Sequence, residues 1–577
     1  MNTFLLPLRG ALAPLRQLGL RRLLAAMVPG LRQGKVKQIS RHALLALWRQ
    51  YGGREAIIAG EQRVSFAQFA ERSVRLANVL DKQGLAAGDS IALLTGNNAL
   101  WFEAMAATTL LGIKMPLINW HLNDSETSAC IRLSGARALL VSDQFLGKIT
   151  TELRNTLPLI LVAGNHSDGL PRLDEALAKA GTELPDGELR FSPKLFSGGT
   201  TGTPKFIELD SSTLQQRQST GLAPGKATLA RLITRLLSVP ALLQLDKLND
   251  DHSNNMRSLV CSPLYHAGGQ ATAVPIFLGG TIVTMEKFSP QTFLQLIERE
   301  RINWTFVAPT MLERVLALPE AELRRHDLSS MRVLICSAAP CPAKVKRDIN
   351  ALFRHQGNSA DVFHEFYGSS ESGPVTVLLP ADYADEPQRY HSVGKARAGD
   401  CRVYDTLNRQ WAPNGQTGKI LLRSPAVYAL AYGGKSEAEM RRHFFEVKGE
   451  LWYDDGLAGY LDDNGFLYIT GRDKEMLIVG GVNIYPNEIE FILKRHPGVQ
   501  DAAVVGISDG DLGEVPAAVV SWRDNVDKED PASLIAFCKA QGLYGFKLPR
   551  QIVIATDLPR DAAGKLRKQE ILKQHFM

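Results

Sequence analysis

The chain has 577 residues, 45% of them hydrophobic and 22% charged, which is the composition of a soluble globular protein and too long for one core, so three or four folding units are expected. The net charge of +6 hides an asymmetry: residues 1–54 carry ten Lys or Arg and no Asp or Glu, leaving −4 for the remainder, a mildly acidic body that argues against nucleic-acid binding. Six cysteines, from Cys130 to Cys538, form no CxxC pair and no cluster with histidines, and read as reduced thiols of a cytosolic protein without a metal site.

Residues 1–39 read as a basic extension. Pro7, Gly10, Pro14 and Gly19 interrupt any helix there. No positive charge precedes the apolar start and no small-residue cleavage site follows, which disfavours a secretory signal; the missing acids suit a mitochondrial presequence, but the near absence of serine does not. Two readings stand side by side for residues 1–33: a peripheral anchor on anionic membrane, at roughly 1 kcal/mol per basic residue near the surface, and a solvated or self-docked arm. From about 40 to 195, helix-like segments (Phe66–Gln83, Asn98–Leu111) alternate with short apolar strands (Ser90–Leu94, Ala138–Ser142, Leu159–Ala163), the rhythm of β/α units around a mainly parallel sheet.

The segment Phe196-Ser197-Gly198-Gly199-Thr200-Thr201-Gly202-Thr203-Pro204-Lys205 comes next. Three glycines let backbone N–H groups turn toward an anion, and hydroxyls and a lysine add donors, so the segment reads as a polyphosphate cradle. It is not a Walker loop, because Thr203-Pro204 separates Gly202 from Lys205 and a strand-like Phe206–Leu209, not a helix, follows. The plainer alternative is a polar hairpin turn.

Ser211–Asn255 is helix-prone and locally basic, with a Leu-rich run over 229–245, and reads either as an insertion or cap near a substrate entrance or as an ordinary surface helix pair. Residues 258–285 contain no Asp, Glu, Lys or Arg, but two prolines, His266, Gln270 and two glycine pairs make them a buried strand, a turn and a buried helix rather than a membrane span. Leu334–Pro340 is an apolar strand ending in Ser337-Ala338-Ala339-Pro340, small enough to let a flat ring lie on the backbone. Phe363–Phe366 leads into Tyr367-Gly368-Ser369-Ser370-Glu371-Ser372-Gly373, where Glu371 is a carboxylate suited to Mg²⁺. Residues 400–470 read as antiparallel strands with tight turns. Gly471-Arg472-Asp473-Lys474-Glu475-Met476, with Gly480-Gly481 beyond it, is a charged pivot followed by residues that absorb backbone rotation. The last hundred residues alternate helices (Glu488–Arg495, Pro531–Gln541) with strands (Asp501–Gly506, Ala517–Trp522, Gln551–Ile554) and end near Pro559-Arg560-Asp561-Ala562-Ala563-Gly564-Lys565.

Taken in order, the glycine-threonine segment, Pro263-Leu264-Tyr265-His266-Ala267-Gly268-Gly269, Ser337–Pro340, Tyr367–Gly373, the charged pivot and the Lys565 motif resemble the acyl-adenylate-forming superfamily of acyl-CoA synthetases, luciferases and peptide-synthetase adenylation domains. The resemblance covers roughly residues 40–577. It implies an α/β fold: a large N-terminal domain of two β/α subdomains plus a distorted β-barrel (40–472), and a small mobile α+β C-terminal domain (473–577) hinged near Lys474. It further implies that Ser197–Thr203 and Lys205 hold the ATP phosphates, Thr200 and Glu371 hold Mg²⁺, Ser337–Pro340 and Tyr367–Ser370 line the nucleotide, His266 walls the carboxylate pocket, Arg472 meets the ribose, and Lys565 enters the adenylation site.

Four positions depart from the family pattern: Gly198 where Ser is common, Phe206 where Gly often follows the lysine, Ser370 for Thr, and Leu457 for the aspartate that grips the ribose. In Trp452-Tyr453-Asp454-Asp455-Gly456-Leu457-Ala458-Gly459-Tyr460, either Asp455 or Asp454 reaches the ribose through a shifted loop, or nucleotide affinity falls. The implied reaction joins a carboxylic acid to coenzyme A through an acyl-adenylate; Gly480-Gly481 resemble the hinge segment of acyl-CoA ligases, with a carrier-protein thiol and an amine as alternative acceptors. The Leu-rich insertion and the apolar Phe206 resemble ligases for fatty, alicyclic or steroid-like acids. An adenylation-deficient nucleotide-binding, membrane-associated protein is the non-enzyme alternative, motivated by Leu457.

Overall fold

Runs of aliphatic residues bounded by turns become buried parallel strands, because both faces of such a strand are covered. A computed structural model gives the fold and describes residues 39–197, 205–209, 225–242, 256–432, 441–472, 475, 477–479, 482–484, 486–510, 512–523, 526, 530–543, 545–560 and 566–577. The chain packs as two compact units, Met1–Asp400 with Arg423–Tyr453, and Cys401–Leu422 with Asp454–Met577.

The first unit contains β1 (Glu55–Ala59), β2 (Gln62–Ser65), β3 (Ile91–Leu94), β4 (Met115–Pro116), β5 (Ala138–Ser142), β6 (Leu159–Ala163), β7 (Pro193–Ser197), β8 (Lys205–Leu209), β9 (Arg257–Val260), β10 (Thr281–Thr284), β11 (Trp304–Val307), β12 (Val333–Cys336), β13 (Phe363–Ser369), β14 (Gly373–Leu378) and β15 (Lys395–Ala396). β3, β5 and β6 form a parallel sheet, as their uninterrupted apolar sequences predict. A nine-stranded sheet runs in the order β15-β14-β13-β12-β11-β9-β10-β1-β2. Its centre, from β13 to β1, is parallel, and its edges are antiparallel. Alternation along each central strand feeds two cores. Ile57, Val260 and Ile282 join a cluster with Trp48, Phe69 and Phe102, while their neighbours Ile58, Leu259 and Val283 join Phe293, Ile349 and Phe353.

Local chemistry sets the helix starts. Ser65 and Gln68 form a reciprocal capping box at the head of Phe66–Lys82, and Asn123 and Glu126 do the same at Asp124–Leu133. The uncharged run 258–285 is more broken than expected, with a helix Ala267–Ala271, a 3₁₀ turn Val274–Leu278 and the further strand β10. Gly279, at φ +78°, ends the turn, and a Cβ there would overlap the Tyr51 ring, so the chain reverses into the β-branched Thr281–Thr284.

An antiparallel pair joins Asp400–Asp405 to Gln410–Trp411, and another joins Glu450–Leu461 to Leu467–Arg472. A separate sheet is built on the hairpin Val499–Asp509 and Gly513–Trp522, with Gln551–Ala555 parallel to its second strand. The hairpin is longer than its apolar stretches, because backbone pairing continues through Ser508↔Glu514 and Asp509↔Gly513. Helices Pro486–Leu493 and Pro531–Ala540 pack against it, sharing a core of Ile489, Leu493, Val504, Val520 and Leu534. A final helix, Lys568–His575, was not expected from its polar sequence; it buries only Ile571. Among the described residues, no helix is long and apolar enough to cross a membrane.

Candidate active site

Four segments of the first unit issue from the C-terminal ends of adjacent parallel strands: Cys261–His266 after β9, Ala308 after β11, Ser337–Pro340 after β12, and the turn after β13. Carboxyl ends of parallel strands are where open α/β sheets bind ligands. After β12, Ser337 donates its N–H to the Val307 carbonyl at 3.2 Å, and Ala338 takes φ +76°, a left-handed conformation that strains a residue with a Cβ. Ala338, Ala339 and Pro340 are exposed, so the surface they offer is free of bulky side chains.

The turn after β13 is determined by its own backbone. β13 and β14 pair antiparallel, Ser369 opposite Gly373, and a Cβ at Gly368 would overlap the Gly373 carbonyl oxygen. Ser369 donates its N–H to Ser372 Oγ at 2.9 Å, Ser372 returns its N–H to Ser369 Oγ at 3.1 Å, and Ser424 Oγ donates to the Ser372 carbonyl at 2.5 Å. Tyr367 is buried, Glu371 half-buried and Ser370 exposed. Six residues before Glu371, Glu365 is buried with Lys346, whose ammonium donates to it and, at 3.1 Å, to the Ser392 carbonyl. Burial is the largest influence on Glu365 and holds its carboxyl above the usual range, against the pull of Lys346.

His266 is exposed at the head of the short helix Ala267–Ala271, its ring 4.3 Å from that of Tyr265. Protein packed around it, and secondarily the nearby His121, lowers its pKa, so at neutral pH it presents an uncharged imidazole. Tyr265 is buried against Trp120, edge to face at 4.5 Å, and burial pushes its hydroxyl up to about 12. Cβ atoms at Gly268 and Gly269 would overlap Phe306 and the Pro263 carbonyl, so this motif's glycines serve close packing. Met256, Trp304, Phe306 and Ile335, with Ala271 and Phe366 against them, make an apolar cluster beside this helix.

Two contributors escaped the sequence reading. Asn97 ties the strand-end loops together, donating to the Ser262 and Met285 carbonyls at 3.1 and 3.0 Å and accepting the Leu264 N–H at 3.1 Å. The N-cap of the helix that follows is Asn98, and nothing local in the sequence marks Asn97 for this bridging role. Trp120 lies 145 residues from Tyr265 in sequence, and nothing local marks that contact.

β7 and β8 pair antiparallel with Ser197 opposite Lys205; the glycine-threonine segment between them, to which both the cradle and the hairpin-turn readings apply, lies outside the described residues. Gly198, Gly199, Thr200, Thr201, Gly202, Thr203, Lys474, Gly480, Gly481 and Lys565 lie outside the described residues, as do the side chains of Ser197, Lys205 and Arg472.

In the second unit Leu457 stands opposite Arg472 in the strand pair Glu450–Leu461 with Leu467–Arg472. Gly456 has φ +79°, and the two acids before it turn back on the backbone. Asp454 accepts the Gly456 N–H and Asp455 the Leu457 N–H, at 2.8 and 3.3 Å. Asp454 also pairs with Lys419 at 2.8 Å. Among the described residues no group of three or more His, Cys, Asp or Glu is placed to hold a metal ion.

The mixed α/β fold matches that of adenylate-forming enzymes. The chain belongs to the AMP-binding enzyme family, whose model matches residues 45–430, while the model of the family's C-terminal domain matches residues 488–565. It is similar to a feruloyl-CoA synthase of Amycolatopsis (29% identity, 90% of this chain and 95% of the relative) and to an indoleacetate–CoA ligase of Aromatoleum aromaticum (29%, 92% and 96%). Among solved structures it resembles ATP-bound MatB from Rhodopseudomonas palustris (25% identity, TM-score 0.72, 92% of this chain and 98% of the other). The o-succinylbenzoate-CoA synthetase of Bacillus subtilis with its acyl-adenylate intermediate is similar at 25% identity and TM-score 0.69, covering 92% and 97%. The chain is accordingly an AMP-forming ligase of the acyl-CoA synthetase class, using ATP to activate an acid.

Proposed function

We propose that this ligase activates an apolar carboxylic acid, fatty or alicyclic, and transfers it to coenzyme A. The acid's oxygen attacks the α-phosphorus of ATP, giving acyl-adenylate and pyrophosphate; the thiol of coenzyme A then attacks the acyl carbon, AMP leaves, and the thiol proton passes to solvent. The observation that carries the reading is the strand-end arrangement: the Ser337–Pro340 surface, the Glu371 turn and the His266 loop issue from one edge of one sheet, beside an apolar cluster of Trp304, Phe306 and Phe366.

The attacking carboxylate and the triphosphate are both anionic, so the work is positioning and charge neutralisation. Lys205 and the Ser197–Thr203 segment are assigned to the phosphates. The neutral His266 suits a pocket wall that orients an acid without trapping it as an ion pair. Gln270, one helical turn on, has a buried amide nitrogen with no hydrogen-bond partner in the described structure, a donor available to the substrate. Glu371 fits Mg²⁺, a hard ion that takes one or two carboxylates and fills its shell with phosphate oxygens and water; Thr200 is its second proposed ligand, and the ion would supply further charge neutralisation. Asp455, with Arg472, is proposed to reach the ribose through a shifted loop; its neighbour Asp454 pairs with Lys419. Lys474 is assigned as the pivot between residues 40–472 and 473–577, Gly480-Gly481 to coenzyme A, and residues 1–33 to peripheral contact of a cytoplasmic enzyme with anionic membrane.

The test is pyrophosphate release with ATP and Mg²⁺ over a panel of acids, with and without coenzyme A, thioester being read by mass spectrometry. Medium or long aliphatic and alicyclic acids should be turned over in preference to acetate. Lys565→Ala should lose about a hundredfold in adenylation yet still convert supplied acyl-adenylate and coenzyme A to thioester. Full ATP-dependent activity in Lys565→Ala, or adenylate transfer only to an amine or carrier thiol, would overturn the assignment.

A further inference from the structure

Asn97 lies in the loop after β3 with only 3% of its surface exposed, and its whole amide is committed to the loops after β9 and β10. Its Nδ2 donates to the Ser262 and Met285 carbonyls at 3.1 and 3.0 Å, and its Oδ1 accepts the Leu264 N–H at 3.1 Å. With carbonyl oxygens on one side and an N–H on the other, only one orientation of the amide fits. The Ser262 carbonyl and the Leu264 N–H flank Pro263, which has no N–H of its own. The Pro263 carbonyl accepts the His266 N–H at 3.1 Å, and the His266 carbonyl accepts the Gln270 N–H at 3.1 Å. The turn that presents the His266 ring is therefore built on the Asn97 amide.

That turn has no slack toward the helix that follows it. A Cβ at Gly269 would overlap the Pro263 carbonyl, so a displacement of Pro263 passes directly to His266 and the head of Ala267–Ala271. The next residue in the chain supplies a contrast of the same chemical type. Asn98 accepts from Thr95 Oγ1 at 3.1 Å and donates to Ser142 Oγ at 3.4 Å, at the ends of β3 and β5 and away from the His266 loop. Two adjacent asparagines thus differ in which loop they hold.

We propose that Asn97 is a positioning residue for the carboxylic acid: it touches no substrate, and it fixes the Pro263–His266 turn so that the His266 ring stands where it walls the acid. The proposal rests on the pocket-wall reading of His266. Its test is steady-state kinetics of the full-length enzyme with the acid of the panel that wild type turns over fastest. Asn97→Ala should raise the KM for that acid about tenfold or more, as misplacement of a binding group does, with kcat within about threefold and the KM for ATP within about twofold of wild type. A merely structural role would instead lower the melting temperature and the active fraction, and so kcat, at an unchanged KM. Asn98→Ala should keep the wild-type KM for the acid. If Asn97→Ala does not fold, Asn97→Ser, whose hydroxyl can keep one of the three bonds, should show the same rise in KM to a smaller degree. His266→Ala should raise the KM for the acid, and adding Asn97→Ala to it should raise it no further, because the two act as one unit. The proposal falls if His266→Ala raises the KM and Asn97→Ala or Asn97→Ser does not, if the two effects multiply in the double variant, or if Asn98→Ala matches Asn97→Ala. A wild-type KM in His266→Ala would overturn the pocket-wall reading itself, and the proposal with it.

Discussion

The turn after β13 and the turn at Asp454–Leu457 are both motif segments, and they differ in who needs the motif. In the first, the fold itself requires the residues: Gly368 because its neighbour's carbonyl leaves no room for a Cβ, Ser369 and Ser372 because they bond each other's N–H groups. In the second, the fold requires only a glycine at positive φ and acids that bond the next backbone amides; Leu457 satisfies the strand pair as well as an aspartate would. A motif that the fold also needs is held in place twice, while one that the fold does not need is free to vary. The same strand shows the contrast within one residue type: Glu365 is held by Lys346 inside the protein, and Glu371 is half-buried at the turn.

The largest effect should come from breaking the buried pair. Lys346→Met leaves Glu365 buried without its cation and should cost about 3–5 kcal/mol in denaturant unfolding. Burial already holds the folded-state carboxyl above its ordinary value, and losing the lysine raises it further. The folded state then binds the proton more tightly than the unfolded one, so stability of the variant should recover as pH falls toward the ordinary carboxylate range and decline as pH rises through the raised value. An unfolding free energy within error of wild type at pH 7 would show that the pair does not anchor β13.

Glu371→Gln should do the reverse, lowering kcat for adenylation about a hundredfold, worth ~2.7 kcal/mol, while changing stability by less than about 1 kcal/mol. A large melting shift with little kinetic loss would move Glu371 into the structural class of Glu365. The smallest effect concerns the drifting turn. Asp455→Ala should raise the KM for ATP about tenfold, or ~1.4 kcal/mol, and Asp454→Ala should leave it within about twofold because that acid serves Lys419. Equal KM values in both variants would mean the ribose is held elsewhere, and Leu457→Asp should then tighten nucleotide binding.

Much of this was legible in the sequence because it is local. Strands Ala138–Ser142 and Leu159–Ala163 follow from apolar runs, and Phe66–Lys82 from its capping box and its amphipathic period. The strand before Ser337 and the strand before Tyr367 were legible for the same reason. What was not legible is non-local. Lys346 sits on a helix, Ala343–His355, whose other lysine, Lys344, is solvent-facing and pairs with Asp348; no feature of the sequence says which lysine is taken inward. Trp120 against Tyr265 and Asn97 across three loops depend on which strands lie side by side. The pairing of Arg231 and Arg235 depends on Asp400, 169 and 165 residues away.

The nine-stranded sheet also acts as a ruler. Neighbouring strands lie about 4.8 Å apart, and the His266 loop on β9 is three steps from the Glu371 turn on β13, by way of β11 and β12, so their bases are separated by roughly 14 Å. Side chains and loop length decide what is read at either end, but the spacing between the two reading points is set by backbone hydrogen bonds that no side-chain substitution alters. If His266 walls the acid and Glu371 faces the phosphates, as proposed, a longer acyl chain is accommodated beyond β9 or along the strand direction, because the interval between the two has a fixed gauge.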